Sequence, residues 1–464
     1  MNMKTFDIIT IGSGGGAKIT SPAASLGHKV AVIEKDRLGG TCLNRGCIPS
    51  KMLIHPADVA LAIKESRKFN LHNDPDFRVD FSKLVTRISQ TVDNDSDKIA
   101  ASYSKHPNIT YIQGEAKFID NKTIEVNGER ITAPKIFIAV GTRPHIPDIP
   151  GLAGTPFMTS TEALRSTTLP KNMIILGGGY IAAELGHAYG ALGTKTCFLV
   201  RSSILRNEDA QVAAEFVRVF SQHHDIRLGA VPARVEHRDG QFTVHYTQNN
   251  QNQKISAEAL LVATGIVSNA DTLHLENAGI RLNNRAFIAV DDFLQTSADG
   301  VYALGDCIGR YFFRHSVNFE GEYLFNMLFN NAPKRPIQYP PMPHAIFAHP
   351  QIAGVGKTEE QLKDEGVDYV VGFNPYKSSA MGMALLSDHG FCKLLIERKS
   401  RGILGCHIIG DEASDMIHMV IAFMNKNGTL DDLLNMIYIH PALPEIVRNS
   451  ARKAEAALKI QSGI

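Results

Sequence analysis

A short apolar strand that runs directly into a cluster of glycines occurs twice in this chain, and no other feature constrains the fold as strongly. Ile8–Ile11 leads into Gly12-Ser13-Gly14-Gly15-Gly16-Ala17, and Ile174–Leu176 leads into Gly177-Gly178-Gly179-Tyr180-Ile181-Ala182. Each reads as a strand, a tight turn and the start of a helix. Each copy continues into a second strand, Val30–Ile33 or Phe198–Val200, and then a meander with turn signals at Asn127-Gly128 and in the Gln/Asn stretch 248–253. Each closes on an apolar strand ending in glycine, at Ile138-Ala139-Val140-Gly141 and Val262-Ala263-Thr264-Gly265. From Gly12 to Gly141 is 129 residues, but from Gly177 to Gly265 is only 88, so the first copy carries a 41-residue insertion. That insertion holds Cys42 and Cys47. Beyond about Tyr339 neither pattern recurs. Strand-like runs (Gly390–Ile396, Ile403–Ile409) alternate there with helical ones (Glu412–Asn425, Ile446–Ile460), which predicts a separate α+β unit on an α/β protein.

Glycine at these turns has a chemical use. Gly12, Gly14 and Gly15, and likewise Gly177 and Gly179, let the backbone approach a pyrophosphate seated on the following helix, with Ala17 and Ala182 in the third fingerprint position. Glu34 ends the second strand 22 residues after Gly12, where a carboxylate accepts a ribose 2′-hydroxyl. The corresponding residue in the second copy is Arg201, 24 after Gly177, with Arg206 following. Arginine in place of an acid favours a 2′-phosphate, hence NADP over NAD.

The insertion reads Gly40-Thr41-Cys42-Leu43-Asn44-Arg45-Gly46-Cys47-Ile48-Pro49-Ser50-Lys51. Four residues between cysteines is the wrong spacing for a zinc pair, and no second Cys/His pair follows at ligand spacing, so no metal is expected. A helix start with Arg45 and Lys51 nearby favours thiolates, which predicts two low-pKa thiols forming a dithiol–disulfide couple. Cys197, Cys307, Cys392 and Cys406 lie in apolar runs and read as core residues. Six cysteines in 464 residues point to a reducing, cytoplasmic compartment. With 48 basic against 47 acidic residues there is no broad field for nucleic acid. No apolar run suits a membrane span, and Met1–Thr10 reads as a strand instead of a signal peptide.

The Cys42–Lys51 segment resembles the redox-active disulfide of the class I pyridine nucleotide–disulfide oxidoreductases, a family that includes dihydrolipoamide dehydrogenase and glutathione, mycothione and mercuric reductases. Tyr302-Ala303-Leu304-Gly305-Asp306 is similar to that family's second FAD motif, and His440-Pro441-Ala442-Leu443-Pro444-Glu445 to its C-terminal catalytic motif. The resemblance implies two Rossmann-like domains plus a C-terminal α+β dimerisation domain. An FAD-binding domain would occupy 1–149 and return at 271–338, an NAD(P)-binding domain 150–270, and the interface domain 339–464.

It also implies roles. FAD would be held by the first loop with Glu34, Thr41, Gly141 and Asp306, and NAD(P)H, with NADPH favoured, by the second loop with Tyr180, Arg201, Arg206 and Gly265. Reducing equivalents would reach Cys47 by way of the flavin, and Cys42 would exchange with the substrate. Lys51 would pair with Glu184 beside the flavin, and His440, supported by Glu445, would cycle the proton from the other subunit of a homodimer. The expected activity is dithiol–disulfide exchange on a lipoyl or small-molecule substrate, most like dihydrolipoamide dehydrogenase. The alternative is an NADPH-dependent reductase of a low-molecular-weight thiol disulfide. A flavin transhydrogenase or oxidase, or a non-catalytic subunit, would need neither the cysteine pair nor His440. The chain departs from the family pattern at Ile266, where arginine is common, and at Ala348-His349-Pro350, where Thr-Asp-Pro is usual.

Overall fold

Both glycine patterns fold as strand, turn and helix, and both strands lie in the interior of a parallel sheet. The computed structural model describes residues 3–72 and 77–461. The first sheet has five parallel strands in the order Val301–Ala303, Lys135–Ile138, Ile8–Ile11, Val30–Glu34, Ile109–Gln113. The second has four, in the order Asp225–Leu228, Lys195–Val200, Asn172–Leu176, Ala259–Val262. The strands that enter the two glycine turns are buried from Ile8 to Ile11 and from Met173 to Leu176, which is why they read as unbroken apolar runs without alternation.

The likeness of the two copies holds at atomic detail. A Cβ on Gly12 would lie 2.3 Å from the carbonyl oxygen of Ala139, and one on Gly177 would lie 2.2 Å from that of Ala263. Each alanine directly follows the closing strand of its copy. Both glycines also adopt positive φ, +97° and +125°, so crowding and backbone conformation exclude any side chain there.

The meanders end in tight hairpins. Asn127 and Gly128 (φ 53° and 77°) join Thr123–Val126 to Glu129–Thr132. The Gln/Asn stretch holds the tight turn expected there: Gln241–Gln248 pairs with Gln251–Ala257, leaving only Asn249-Asn250 in the turn. Two residues with positive φ are enough to reverse a right-twisted hairpin.

The segment that carries the insertion forms the helices Gly40–Arg45, Cys47–Glu65 and Phe81–Lys105, the last capped by Asp80, which accepts from the Lys83 amide. In the C-terminal unit a five-stranded antiparallel sheet runs His344–Ile346, Ile352–Gly356, Ile403–Ile409, Phe391–Glu397, Tyr369–Pro375. Helix Glu445–Gln461 packs on its last two strands and helix Ala413–Met424 on the other edge. Lys393, fully buried in this sheet, holds Asp209 at 2.9 Å and Glu359 at 2.5 Å, which fastens the second parallel unit to the C-terminal one. No helix among the described residues is long and apolar enough to cross a membrane. The glycine loops lie at the carboxyl ends of both parallel sheets, the ends at which such folds bind ligands. There they share one cavity of 2220 Å³.

Candidate active site

The cavity walls include Gly12, Gly14 and Gly15 of the first loop, Gly177, Gly179 and Tyr180 of the second, both Cys42 and Cys47, and Arg201 and Arg206. Ala17 and Ala182 lie behind the loops in their helices. At the first loop, Glu34 accepts hydrogen bonds from the Ser13 amide and hydroxyl (2.9 and 2.8 Å) and from the Asp36 amide (3.1 Å). Ser13 Oγ also accepts from the Gly39 amide at 3.0 Å, tying the loop to the start of the cysteine segment. The backbones meet closely there: a Cβ on Gly40 would fall 2.6 Å from Gly14 Cα. Across the cavity, Asp306 accepts from Thr142 Oγ1 at 3.1 Å, and burial pushes its carboxyl above the usual range. Gly141, Thr41 and Gly265 also line the cavity.

This donor set fits FAD. The loop backbone is open to a pyrophosphate, a carboxylate waits at the end of the second strand, and the half-buried Asp306 lines the cavity from the turn after the strand Val301–Ala303. At the second loop, a Cβ on Gly179 would meet nothing within 4 Å, so that stretch of backbone is bare to an approaching phosphate. Gly12→Ala is expected to strip FAD from the protein on dialysis, since a strained position of this kind costs about 1–3 kcal/mol before the carbonyl clash is counted. Flavin content after gel filtration measures it.

Cys47 is the first residue of its helix, and Cys42 sits one short helix earlier, separated by the turn at Gly46 (φ −140°, ψ −121°). Both thiols are free, and Cys47 is the more open to the cavity. The Cys42 thiol stabilises the charged form of Cys47 and lowers it to about 7, against the opposing effect of burial and with help from the charge of Lys51. The same pairing raises Cys42, reinforced by burial and by the charge on Cys47, with Arg314 acting the other way. The expectation of two low-pKa thiols is therefore corrected. A charge on one sulfur opposes ionisation of its neighbour, so the pair favours one thiolate and one thiol. Arg45 does not serve the thiols either, because Asp36 takes its guanidinium at 2.5 Å. The cation at Cys42 is Arg314, from a distant helix.

Lys51 Nζ meets Glu184 Oε2 at 2.7 Å, the pairing the sequence predicts. Sequence reasoning missed what completes it. The Phe347 amide donates to Glu184 Oε1 at 3.0 Å, and the Phe347 ring lies 4.4 Å from Lys51 Nζ. The one signal available was position: Phe347 directly precedes the unusual Ala348-His349-Pro350. Tyr180 faces Asp306, Glu184 and Cys47, with its hydroxyl kept protonated chiefly by burial.

His440 and Glu445 are together but apart from the rest. His440 Nδ1 lies 2.9 Å from Glu445 Oε2, and neither residue is on the cavity wall. The imidazole is 69% exposed and the carboxylate only 4%. Burial opposes ionisation of Glu445, but the His440 contact, the Ala442 amide and Arg448 outweigh it and hold the carboxyl below its usual range. The approach to His440 is apolar and bare, with Ile437 and Ile439 96% and 82% exposed. The other four cysteines are buried, as expected, although Cys392 and Cys406 lie with their sulfurs 3.8 Å apart.

Comparison with known proteins covers nearly the whole chain. Residues 6–321 match the pyridine nucleotide-disulphide oxidoreductase family model, and residues 342–451 match that family's dimerisation domain. Mycothione reductase of Mycobacterium tuberculosis is 34% identical over 97% of this chain and 99% of its own length. Dihydrolipoyl dehydrogenase of Geobacillus stearothermophilus is 32% identical over 97% and 96%. Among solved structures, the HOCl-induced flavoprotein disulfide reductase RclA from Escherichia coli superimposes with a TM-score of 0.86 at 29% identity, covering 97% of this chain and 99% of that one.

Proposed function

This chain belongs to the pyridine nucleotide-disulphide oxidoreductase family, and on that premise we propose that it is a cytoplasmic, homodimeric reductase of a small disulfide, drawing on NADPH and working through Cys42 and Cys47. The family's cofactors are FAD and NAD(P)H, so the protein is a flavin-dependent oxidoreductase. The observation that carries the reading is the Cys42 and Cys47 pair on the wall of the cavity, where the surroundings draw Cys47 down to about 7 and push Cys42 up. When bound, the flavin accepts hydride from the nicotinamide and returns two electrons to the cysteine pair.

The chain's own residues account for the rest. In the reduced pair, Cys42 attacks one sulfur of a substrate RS–SR, the first RS⁻ leaves, and a Cys42–S–S–R mixed disulfide forms. Cys47 then attacks the Cys42 sulfur, the second RS⁻ leaves, and the Cys42–Cys47 bond closes. Substrate has gained two electrons, and each RS⁻ takes up a proton to leave as RSH. Because Cys42 is held protonated, it needs a base to become the nucleophile. The base we assign is His440 of the partner subunit, oriented by its own Glu445 as in this chain. That base then returns its proton to the departing thiolate.

NADPH is assigned from Arg201 and Arg206, both exposed on the cavity wall beyond the strand Lys195–Val200. Neither is ion-paired with a carboxylate among the described residues, so both are available to a 2′-phosphate. Replacing both by alanine is expected to raise KM for NADPH about 10–100-fold, the worth of one or two charge-assisted hydrogen bonds, and to leave NADH nearly unchanged. Equal losses for both coenzymes would remove the assignment. A second reading, dihydrolipoamide oxidation, is favoured by the end-to-end match to the Geobacillus dehydrogenase. Turnover rates with lipoamide, glutathione disulfide and related disulfides, each with NADH and NADPH, separate the two.

A further inference from the structure

Far from the thiols, three segments distant in sequence converge on one gap. Glu65 is the last residue of the helix that Cys47 begins; His223 follows the helix Ala210–Phe220 in the second unit; His349 lies between two strands of the C-terminal sheet. Glu65 Oε1 faces His223 Nε2 at 4.0 Å and His349 Nε2 at 3.9 Å, too long in each case for a hydrogen bond. Its other oxygen is taken by Lys68 at 3.1 Å. The three ligand atoms all lie within 4.8 Å of one another. The gap opens onto a cleft of 360 Å³ lined by Lys64, His187, His223, His224 and His349. We propose that Glu65, His223 and His349 bind a borderline divalent cation of the Zn²⁺ type, as a brace between the three units and separate from the redox site.

Two imidazole nitrogens and one carboxylate oxygen are a donor set for such an ion, with a fourth position left to water. Bonds of about 2.0–2.2 Å put tetrahedral ligand atoms roughly 3.3–3.5 Å apart, so each side chain has to close by less than about 1 Å. The neighbouring groups are already committed. His187 Nε2 is on Asp58 at 2.7 Å, His389 Nδ1 on Asp388 at 2.7 Å, and His224 Nδ1 on Thr196 Oγ1 at 2.5 Å. Lys64 directs its ammonium onto the Ala191 carbonyl at 2.6 Å. Burial also lowers His223 and His349, and a neutral imidazole is the ligating form. His349 is the residue that breaks the family's usual Thr-Asp-Pro, so a departure with no role in the thiol chemistry acquires one here.

The test uses the FAD-loaded protein carrying Cys42→Ser and Cys47→Ser, so that soft thiolates do not compete for the probe, Zn²⁺. Equilibrium dialysis and elemental analysis are expected to show about one zinc per chain. His349→Ala should abolish it, and Glu65→Gln should weaken it at least about tenfold. Zinc should also raise the thermal midpoint by a few degrees in the parent and not in the variants. Should His349→Ala lose its FAD, His223→Ala, which removes a half-exposed side chain, serves in its place. No bound zinc in the parent, or undiminished zinc in the histidine variants, overturns the proposal.

Discussion

Cys47→Ser is expected to lower disulfide turnover at least about 10³-fold, while NADPH oxidation by a dye that accepts electrons without thiols continues. The reason is geometric before it is chemical. Cys47 heads its helix, has its charged form stabilised by Cys42 and feels the charge of Lys51, so it is the sulfur whose ionisation the surroundings favour. Serine there can neither carry the charge near neutral pH nor close a bond to Cys42. The pH dependence sharpens the test. In the reduced enzyme the Cys47 thiolate should be lost as pH falls through about 7. A hydrogen bond to the charged form lowers a pKa, so removing the donor with Cys42→Ala should move that transition upward, and Cys42→Ser, which keeps a donor, should move it less. The long-wavelength absorption of a thiolate lying against oxidised flavin reports the titration. A transition that stays in place in Cys42→Ala would show that the two sulfurs are not coupled as drawn.

What was legible in the sequence is what local spacing controls. Gly12 and Gly177 announce themselves because only glycine survives against the carbonyls of Ala139 and Ala263, and each lies at a fixed distance from its second strand. Cys42, Cys47 and Lys51 fall within ten residues, and Glu445 follows His440 by five, so their relations survive any uncertainty about the rest of the fold. The direction of the Cys42 shift was not legible, because it depends on which sulfur keeps its proton. Nor were Arg314 at Cys42, Phe347 under Lys51, or the meeting of Glu65, His223 and His349. Those contacts join residues more than 120 apart, or separate elements whose docking no periodicity encodes. Arg45 shows the opposite failure: it is near the thiols in sequence, yet a closer acid claims it.

His440→Gln is expected to slow thiol exchange about 10²–10⁴-fold, the usual worth of a positioned acid–base group, with reduction of the flavin by NADPH largely unaffected. Glutamine fills the volume and can still meet Glu445, so the loss is of proton transfer, not of packing. Equal loss of both half-reactions would argue against that role. A second experiment asks which subunit supplies the histidine. In this chain His440 is off the cavity wall, exposed, and reached over Ile437 and Ile439, as a group offered to another subunit would be. If each site takes Cys42 from one subunit and His440 from the other, a hybrid dimer of a His440→Gln chain with a Cys42→Ser chain contains one site with both defects and one with neither. Random mixing makes half the dimers hybrid, so co-expression should restore about one quarter of the wild-type activity from two inactive parents. If both residues came from the same chain, every site in the mixture would carry a defect and activity would stay at the level of the parents. The outcome is read against a large background difference, so even incomplete mixing distinguishes the two arrangements.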